Sequence, residues 1–128
     1  MRHIRRNENG QALVEFALVA PILFLILFGI VQFGIAFMHS VALTDAVRAG
    51  ARKAAVSRSA ADPTQATKSA VLGAANDLDP SKVSITVTST WQSGGNVTVD
   101  ATYPYQINLL GIVVASGDLH STTTERVE

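Results

Sequence analysis

"GQALVEFALVAPILFLILFGIVQFGIAFM", residues 10–38, decides the architecture. From Phe16 to Met38 its only strongly polar side chain is Gln32. About 23 residues rising about 1.5 Å each as a helix cover a hydrocarbon layer about 30 Å thick, so the run is long enough to cross a bilayer once. Ahead of it, "MRHIRRNENG" carries Arg2, Arg5 and Arg6, which the positive-inside rule keeps in the cytoplasm while the carboxyl end goes outward. Without residues 1–10 the chain holds seven basic and nine acidic side chains, so the basic charge is a local feature of the leader. A secretory signal peptide has an apolar core of about 7–15 residues before a small-residue cleavage site, and this run is too long for that class. A plain signal anchor accounts for length and charge but leaves Gly10 and the acid at Glu15 unused.

Composition narrows the remainder. With 128 residues, the chain has room for one modest domain beside the span and no second large one. Hydrophobic residues make up 48% and charged residues 16%, an apolar excess concentrated at the N-terminal end. The formal net charge of zero supplies no chain-wide basic field, which argues against nucleic acid as a partner. The chain has no cysteine, hence neither disulfides nor thiolate metal ligands.

The order of residues around Gly10 and Glu15 resembles a known family. "G-QALVEF" is similar to the processing site of class III signal peptides in type IV pilin-like proteins. There a membrane peptidase cuts after the glycine, and a glutamate becomes the fifth mature residue. The longer run into "ALTDAVRAGARKAAV" resembles the TadE-like pseudopilins of tight-adherence pili, closely over about residues 5–56 and in general layout beyond. The "FGxxxFG" rhythm from Phe28 to Gly34, Pro21 inside the apolar run, and "DAVRAGAR" carry the rest of the likeness. The resemblance implies a leader of residues 1–10 cut between Gly10 and Gln11, and an assembly role for Glu15 and the following Phe16. It also implies a prepilin peptidase, other pilin or pseudopilin subunits and a pilus assembly platform as partners. The expected location is the inner membrane, crossed once, with the N-terminus cytoplasmic and the head outside, and with incorporation into a pilus as a further step.

The chemistry at these residues fits that expectation. Gly10 has no side chain to keep a protease from the scissile backbone. After cleavage the Gln11 amine lies one helical turn from Glu15, at the edge of the span, where a charge costs less than at its centre. The carboxylate then pairs with that amine in its own chain or in a staggered neighbour. A plainer reading leaves Glu15 as an acid favoured by the helix macrodipole, worth about 0.3–1 kcal/mol. Pro21 removes one internal helix hydrogen bond and predicts a bend, which membrane helices tolerate. Gly29 and Gly34 are small enough for close helix approach, although their spacing is not the four-residue repeat.

Residues 40–58 continue with helix formers and no proline. Ala42, Ala46, Gly50 and Ala54 recur every four residues beside Leu43, Val47, Ala51 and Ala55, forming two apolar rows of mostly small side chains. Asp45, Arg48, Arg52 and Lys53 lie on the other side. The rows are expected to carry the chain's own head, or in part to contact other subunits. His39 falls at the outer interface as a solvated or lipid-facing side chain.

The carboxyl half reads as a small α+β head over residues 59–128, following an assembly helix over 11–58. Asp62 is a candidate N-cap with Pro63 at the first helical position, and Val71, Ala74, Ala75 and Leu78 form a helical stripe ended by Asp79 and Pro80. "KVSITVTSTW" alternates Val83, Ile85, Val87 and Ser89 with polar residues, as a half-buried strand does. Its partner places Val97, Val99, Ala101, Tyr103 and Tyr105 on one face, with "QSGGN" as the turn. Pro104 suits a sheet edge or a strand end. Residues 106–117 are too short for a helical span, and three roles stay open for them: packing on the first helix, dipping into the membrane surface, or meeting a partner. "DLHSTTTERVE" then supplies a final strand, for an antiparallel sheet of about three.

Catalytic and cofactor readings find no support in the pattern. Asp62, Asp77, Asp79, Asp100 and Asp118 fall at turns or strand surfaces and do not follow the calcium-loop spacing. His120 has no nearby second histidine for zinc, and no serine sits in a nucleophile elbow. The expectation is a non-enzymatic structural pseudopilin without cofactor, helping to initiate or assemble a pilus for surface attachment. The rival is a membrane-tethered extracytoplasmic binding module that never enters a filament.

Overall fold

The computed structural model describes residues 8–128. Arg2, Arg5 and Arg6, on which the topology expectation rests, lie outside the described residues. Helix α1 (Glu8–Ala55) is followed by helix α2 (Pro63–Ala74) and strands β1 (Ser84–Ser89), β2 (Asn96–Leu109) and β3 (Ile112–Arg126). The strands form one antiparallel sheet in the order β1-β2-β3. The expected α+β class, with a long apolar first helix, a second helix and three strands, is the one observed.

Helix α1 runs for 48 residues, beginning before Gln11 and continuing through Pro21. It stops at Ala55, short of the expected end at Arg58. Past that point Ser57 N–H donates to the Ala54 carbonyl and Ser57 Oγ to the Lys53 carbonyl, at 3.1 and 2.5 Å. The Ala55 carbonyl accepts from the N–H of Glu128 at 2.9 Å. Helix ends leave carbonyls without intrahelical partners, and here Glu128, just past β3, supplies a donor.

Helix α2 starts as its sequence dictates. Asp62 is extended, its carboxylate accepts from Gln65 N–H at 2.9 Å, and Pro63 opens the first turn. Its end differs from the expectation: the helix finishes at Ala74, not near Leu78. Ala75 N–H turns back to Leu72 and Leu78 N–H to Ala75, at 3.3 and 3.1 Å, so tighter turns replace the helix. Asn76 and Asp77 compete for backbone hydrogen bonds and favour such turns over helix. Leu78 is still buried, reaching the core from a turn.

The core joins one stretch of α1 to everything else in the head. Leu43, Ala46, Val47, Ala51 and Ala54 of α1 cluster with Val71 of α2, Ala75 and Leu78 after it, Val97, Val99, Ala101 and Tyr103 of β2, and Val127. The alternation of β2 sends one side chain in two toward α1. The opposite face carries a polar ladder in which Thr86, Asp100 and Thr122 lie in one cross-strand row and Thr88, Thr98 and Thr124 in the next. Thr122 donates to Asp100, and the Thr98 and Thr124 hydroxyls meet at 2.9 Å.

Strands β2 and β3 extend well beyond β1, whose first residue Ser84 pairs with Thr102. Pro104 therefore sits in the middle of β2 but on a locally open edge, where its missing N–H breaks no pairing with β1. Residues 106–117, left open from the sequence, form the far end of this β2–β3 hairpin. Tyr105 faces Gly117 across the ladder, and a β-carbon at Gly117 would stand 3.1 Å from the Tyr105 ring. The glycine makes room for the ring to lie over its neighbour strand.

Candidate assembly and membrane surface

Below the head, α1 is bare. Side chains from Leu13 to Met38 are exposed at nearly every position; Phe16, Leu18, Ile30 and Phe33 are each about two-thirds open. The most apolar 18-residue window has a mean hydropathy of 2.7, and none of it is buried by the rest of the chain. In water such a surface would be strongly unfavourable, at roughly 25 cal/mol per Å² of apolar area. By length and composition the helix is a candidate membrane span.

The first turns hold the residues singled out from the sequence. Gly10 and Gln11 are exposed within α1. Gln11 donates through its side-chain amide to Glu15 Oε1 at 3.1 Å, one turn on. In the intact chain, then, Glu15 is engaged by the Gln11 side chain, a partner that sequence reasoning missed while considering only the amine released by cleavage. The four-residue spacing was the signal that could have found it. Phe16 is exposed on the surface of α1.

The small-residue row lies at the other end. Ala42 is half-buried, while Ala46, Gly50 and Ala54 are buried. Gly50 meets α2: a β-carbon there would overlap Val71 Cγ2 and lie 3.5 Å from the Thr67 carbonyl oxygen. Thr67 is itself buried, with its hydroxyl donating back to the Pro63 carbonyl at 2.8 Å. Gly29 and Gly34, in contrast, would have nothing within 4 Å of an added β-carbon.

Between these zones the β2–β3 hairpin runs down α1. Its root is fixed where His39 and Tyr103 meet edge-on, ring centroids 5.4 Å apart at 73°. His39 is thus half-buried against the head and not the solvated or lipid-facing side chain expected, because the Tyr103 ring packs against it. Below, Gln32, Ala36 and His39 face Tyr103 and Tyr105 across one cleft, and Phe33 and Phe37 face Ile107 and Leu119 across another. The tip reaches lower still. Leu110 lines a cleft of about 490 Å³ with Ala17, Pro21, Phe24 and Phe28.

Electrostatics are sparse. Asp45 and Arg48 form an exposed pair at 3.8 Å. Asp79 accepts from Ser81 Oγ at 2.7 Å and Ser81 N–H at 3.0 Å, and these bonds, with Lys82 nearby, hold its carboxyl below the ordinary value of 3.8. Among the described residues, no group of three or more histidines and acids is placed to hold a metal ion.

A long apolar helix that leads with Gln11 and Glu15 and ends under a small head is the geometry that the resemblance implied. Residues 10–52 match the model of the TadE-like protein family. The match falls wholly within α1, and the resemblance read from "QALVEF" and "DAVRAGAR" is found over the same helix. The match takes in 43 of the chain's 128 residues. The head, from α2 onward, lies outside the match. No curated protein and no solved structure matches the chain.

Proposed function

We propose that the chain is a minor pseudopilin of a tight-adherence pilus. In this reading a prepilin peptidase removes residues 1–10, α1 anchors the mature chain in the cytoplasmic membrane, and the head stands outside. The apolar lower half of α1 then packs with equivalent helices of other pilin or pseudopilin subunits as the assembly platform draws it from the bilayer. The observation that carries the proposal is the TadE-like match over a helix whose upper third is buried under its own head and whose lower two-thirds stays largely exposed, with only the β2–β3 hairpin alongside it. A helix needed only as a tether has no reason to carry Gly10, Gln11 and Glu15 at processing spacing.

Support for the site comes from chemistry at each position. Gly10 carries no side chain to keep a protease from the bond that follows it, and it is exposed. Glu15 sits where the span begins, and an acid at that level marks a functional pairing. The test is the mature N-terminus, read by mass spectrometry after expression with and without the prepilin peptidase. A chain starting at Gln11 only when the peptidase is present supports the reading. A chain that keeps residues 1–10 and stays out of sheared pili would leave the membrane-tethered module as the function.

A further inference from the structure

We propose that the end of the β2–β3 hairpin is a second membrane contact, whose apolar tip enters the headgroup and acyl boundary of the leaflet on the head's side of α1. The inference rests on α1 spanning the bilayer, and names lipid as the partner of a segment outside the TadE-like match. The root of the hairpin is tied to the top of the span by the His39–Tyr103 contact, and from there its strands run toward the membrane, alongside α1. From Tyr105 to Gly117 there is no Asp, Glu, Lys, Arg or His. Leu110 and Ile112 at the tip are 74% and 70% exposed, with Val113 and Val114 beside them about half open. Their apolar surface is continuous with that of the span.

The turn adds an independent observation. Leu110 and Gly111 both have positive φ, 52° and 90°. A two-residue hairpin loop with both residues at positive φ favours Asn-Gly or Asp-Gly, and a branched apolar side chain is strained there. A leucine held in that conformation with its side chain open to the surroundings sacrifices turn stability for an apolar tip. That exchange is favourable where the tip meets hydrocarbon.

Depth is limited by the backbone. Beyond Thr102 the β1 side of β2 is unpaired, and β3 is an edge along its length. Open edges do not occur exposed to hydrocarbon, because N–H and C=O groups find no partner there. With lipid around α1, the tip cannot remain beside Pro21 and Phe24, near the far side of the span. In the proposal the finger pivots outward from the position seen here at the register shift between Ile107 and Asn108, where the ladder is locally interrupted. It then lies at the boundary, where water and headgroups satisfy its edges and only Leu110, Ile112, Val113 and Val114 are submerged.

The chain has no native cysteine, so single labels are unambiguous. The full chain is reconstituted in phosphatidylcholine vesicles with an environment-sensitive fluorophore at Val113→Cys, at Leu27→Cys in the span, or at Ser93→Cys in the opposite loop of the head. Nitroxide lipids are the quencher. Blue-shifted, quenched emission at positions 27 and 113 but not at 93 is expected, and Leu110→Asn should reduce quenching at 113 while raising the melting temperature. Quenching at 27 without quenching at 113 overturns the lipid contact and leaves α1 as a span. No quenching at 27 overturns both. Cysteine crosslinking between copies at 113 that grows with protein density, without lipid quenching, would assign the tip to a second copy and overturn the proposal. None of these readouts needs a peptidase or a pilus, so failure of the pseudopilin reading would be seen separately.

Discussion

Gly50 lies so close to Val71 that any β-carbon at position 50 would overlap the Val71 Cγ2 methyl. The small residue lets α2 rest against the backbone of α1, which couples the head to the helix that carries it. Gly50→Ala should therefore destabilise the head, by about 1–3 kcal/mol for overpacking a filled core. Gly73→Ala, on the open face of α2 with nothing within 4 Å, should instead gain up to about 1 kcal/mol of helix propensity. Thermal unfolding of both variants in detergent separates the two effects; equal shifts would contradict the close packing.

Asp62 closes the first turn of α2 through Gln65 N–H. Asp62→Ala should cost about 1 kcal/mol, and Asp62→Asn, which retains the capping oxygen, much less. Faster amide exchange confined to the first turn of α2 in the alanine variant is the expected signature. Uniform exchange in both variants would assign Asp62 no capping role.

Asp79 contributes stability with a defined pH sign. Its carboxyl is held below the ordinary value first by the Ser81 hydroxyl, then by Ser81 N–H and the Lys82 charge. A lowered folded-state value means that the contribution is complete above the unfolded value of about 3.9 and disappears as pH falls through the folded one. The difference in melting temperature between wild type and Asp79→Asn should be largest near neutrality and vanish in strong acid. A difference that does not change with pH would show that the Ser81 bonds do not act on the carboxylate. Because the group is exposed to solvent, the shift should be small.

Gly10→Val tests processing. The span is unchanged, so the variant should insert normally, while the branched side chain obstructs the bond to Gln11. Accumulation of the uncut chain in the membrane, seen on gels and by intact mass, is the expected result. Efficient cleavage of the variant at the same bond would remove the steric argument.

Glu15→Ala separates cutting from assembly. Within the chain it removes only the Gln11–Glu15 bond, worth about 0.2–0.5 kcal/mol on an exposed helix, so folding and insertion should be intact. Recovery in sheared pili or crosslinked complexes should fall, since an amine shielded by lipid or by neighbouring helices loses the anion one turn away. An N-terminal glutamine can cyclise, which would abolish that amine, and the same mass spectrum that reads the mature end reports it. Wild-type recovery of the alanine variant, with a free Gln11 amine, would reduce Glu15 to an ordinary helix-start acid.

Local chemistry was sufficient for much of this protein. The length of the apolar run made α1 a span-length helix, Asp62 with Pro63 marked the start of α2, and the alternations from Val83 and Val97 marked β1 and the inner face of β2. Each depends on residues within a few positions of one another, where helical and strand periods are written directly. The sequence "NLLGIVV" held a hairpin signal too, a glycine between two apolar runs, but an apolar strand, an interfacial segment and a packed loop share that composition. Where α2 stops, how far the hairpin extends, which side of His39 is covered, and that Gly50 is the contact point for Val71 were decided only by the tertiary structure. These features are set by pairs far apart in the chain, such as His39 with Tyr103 and Ala55 with Glu128, whose proximity follows from the closing of the whole core around α1 and not from any local period.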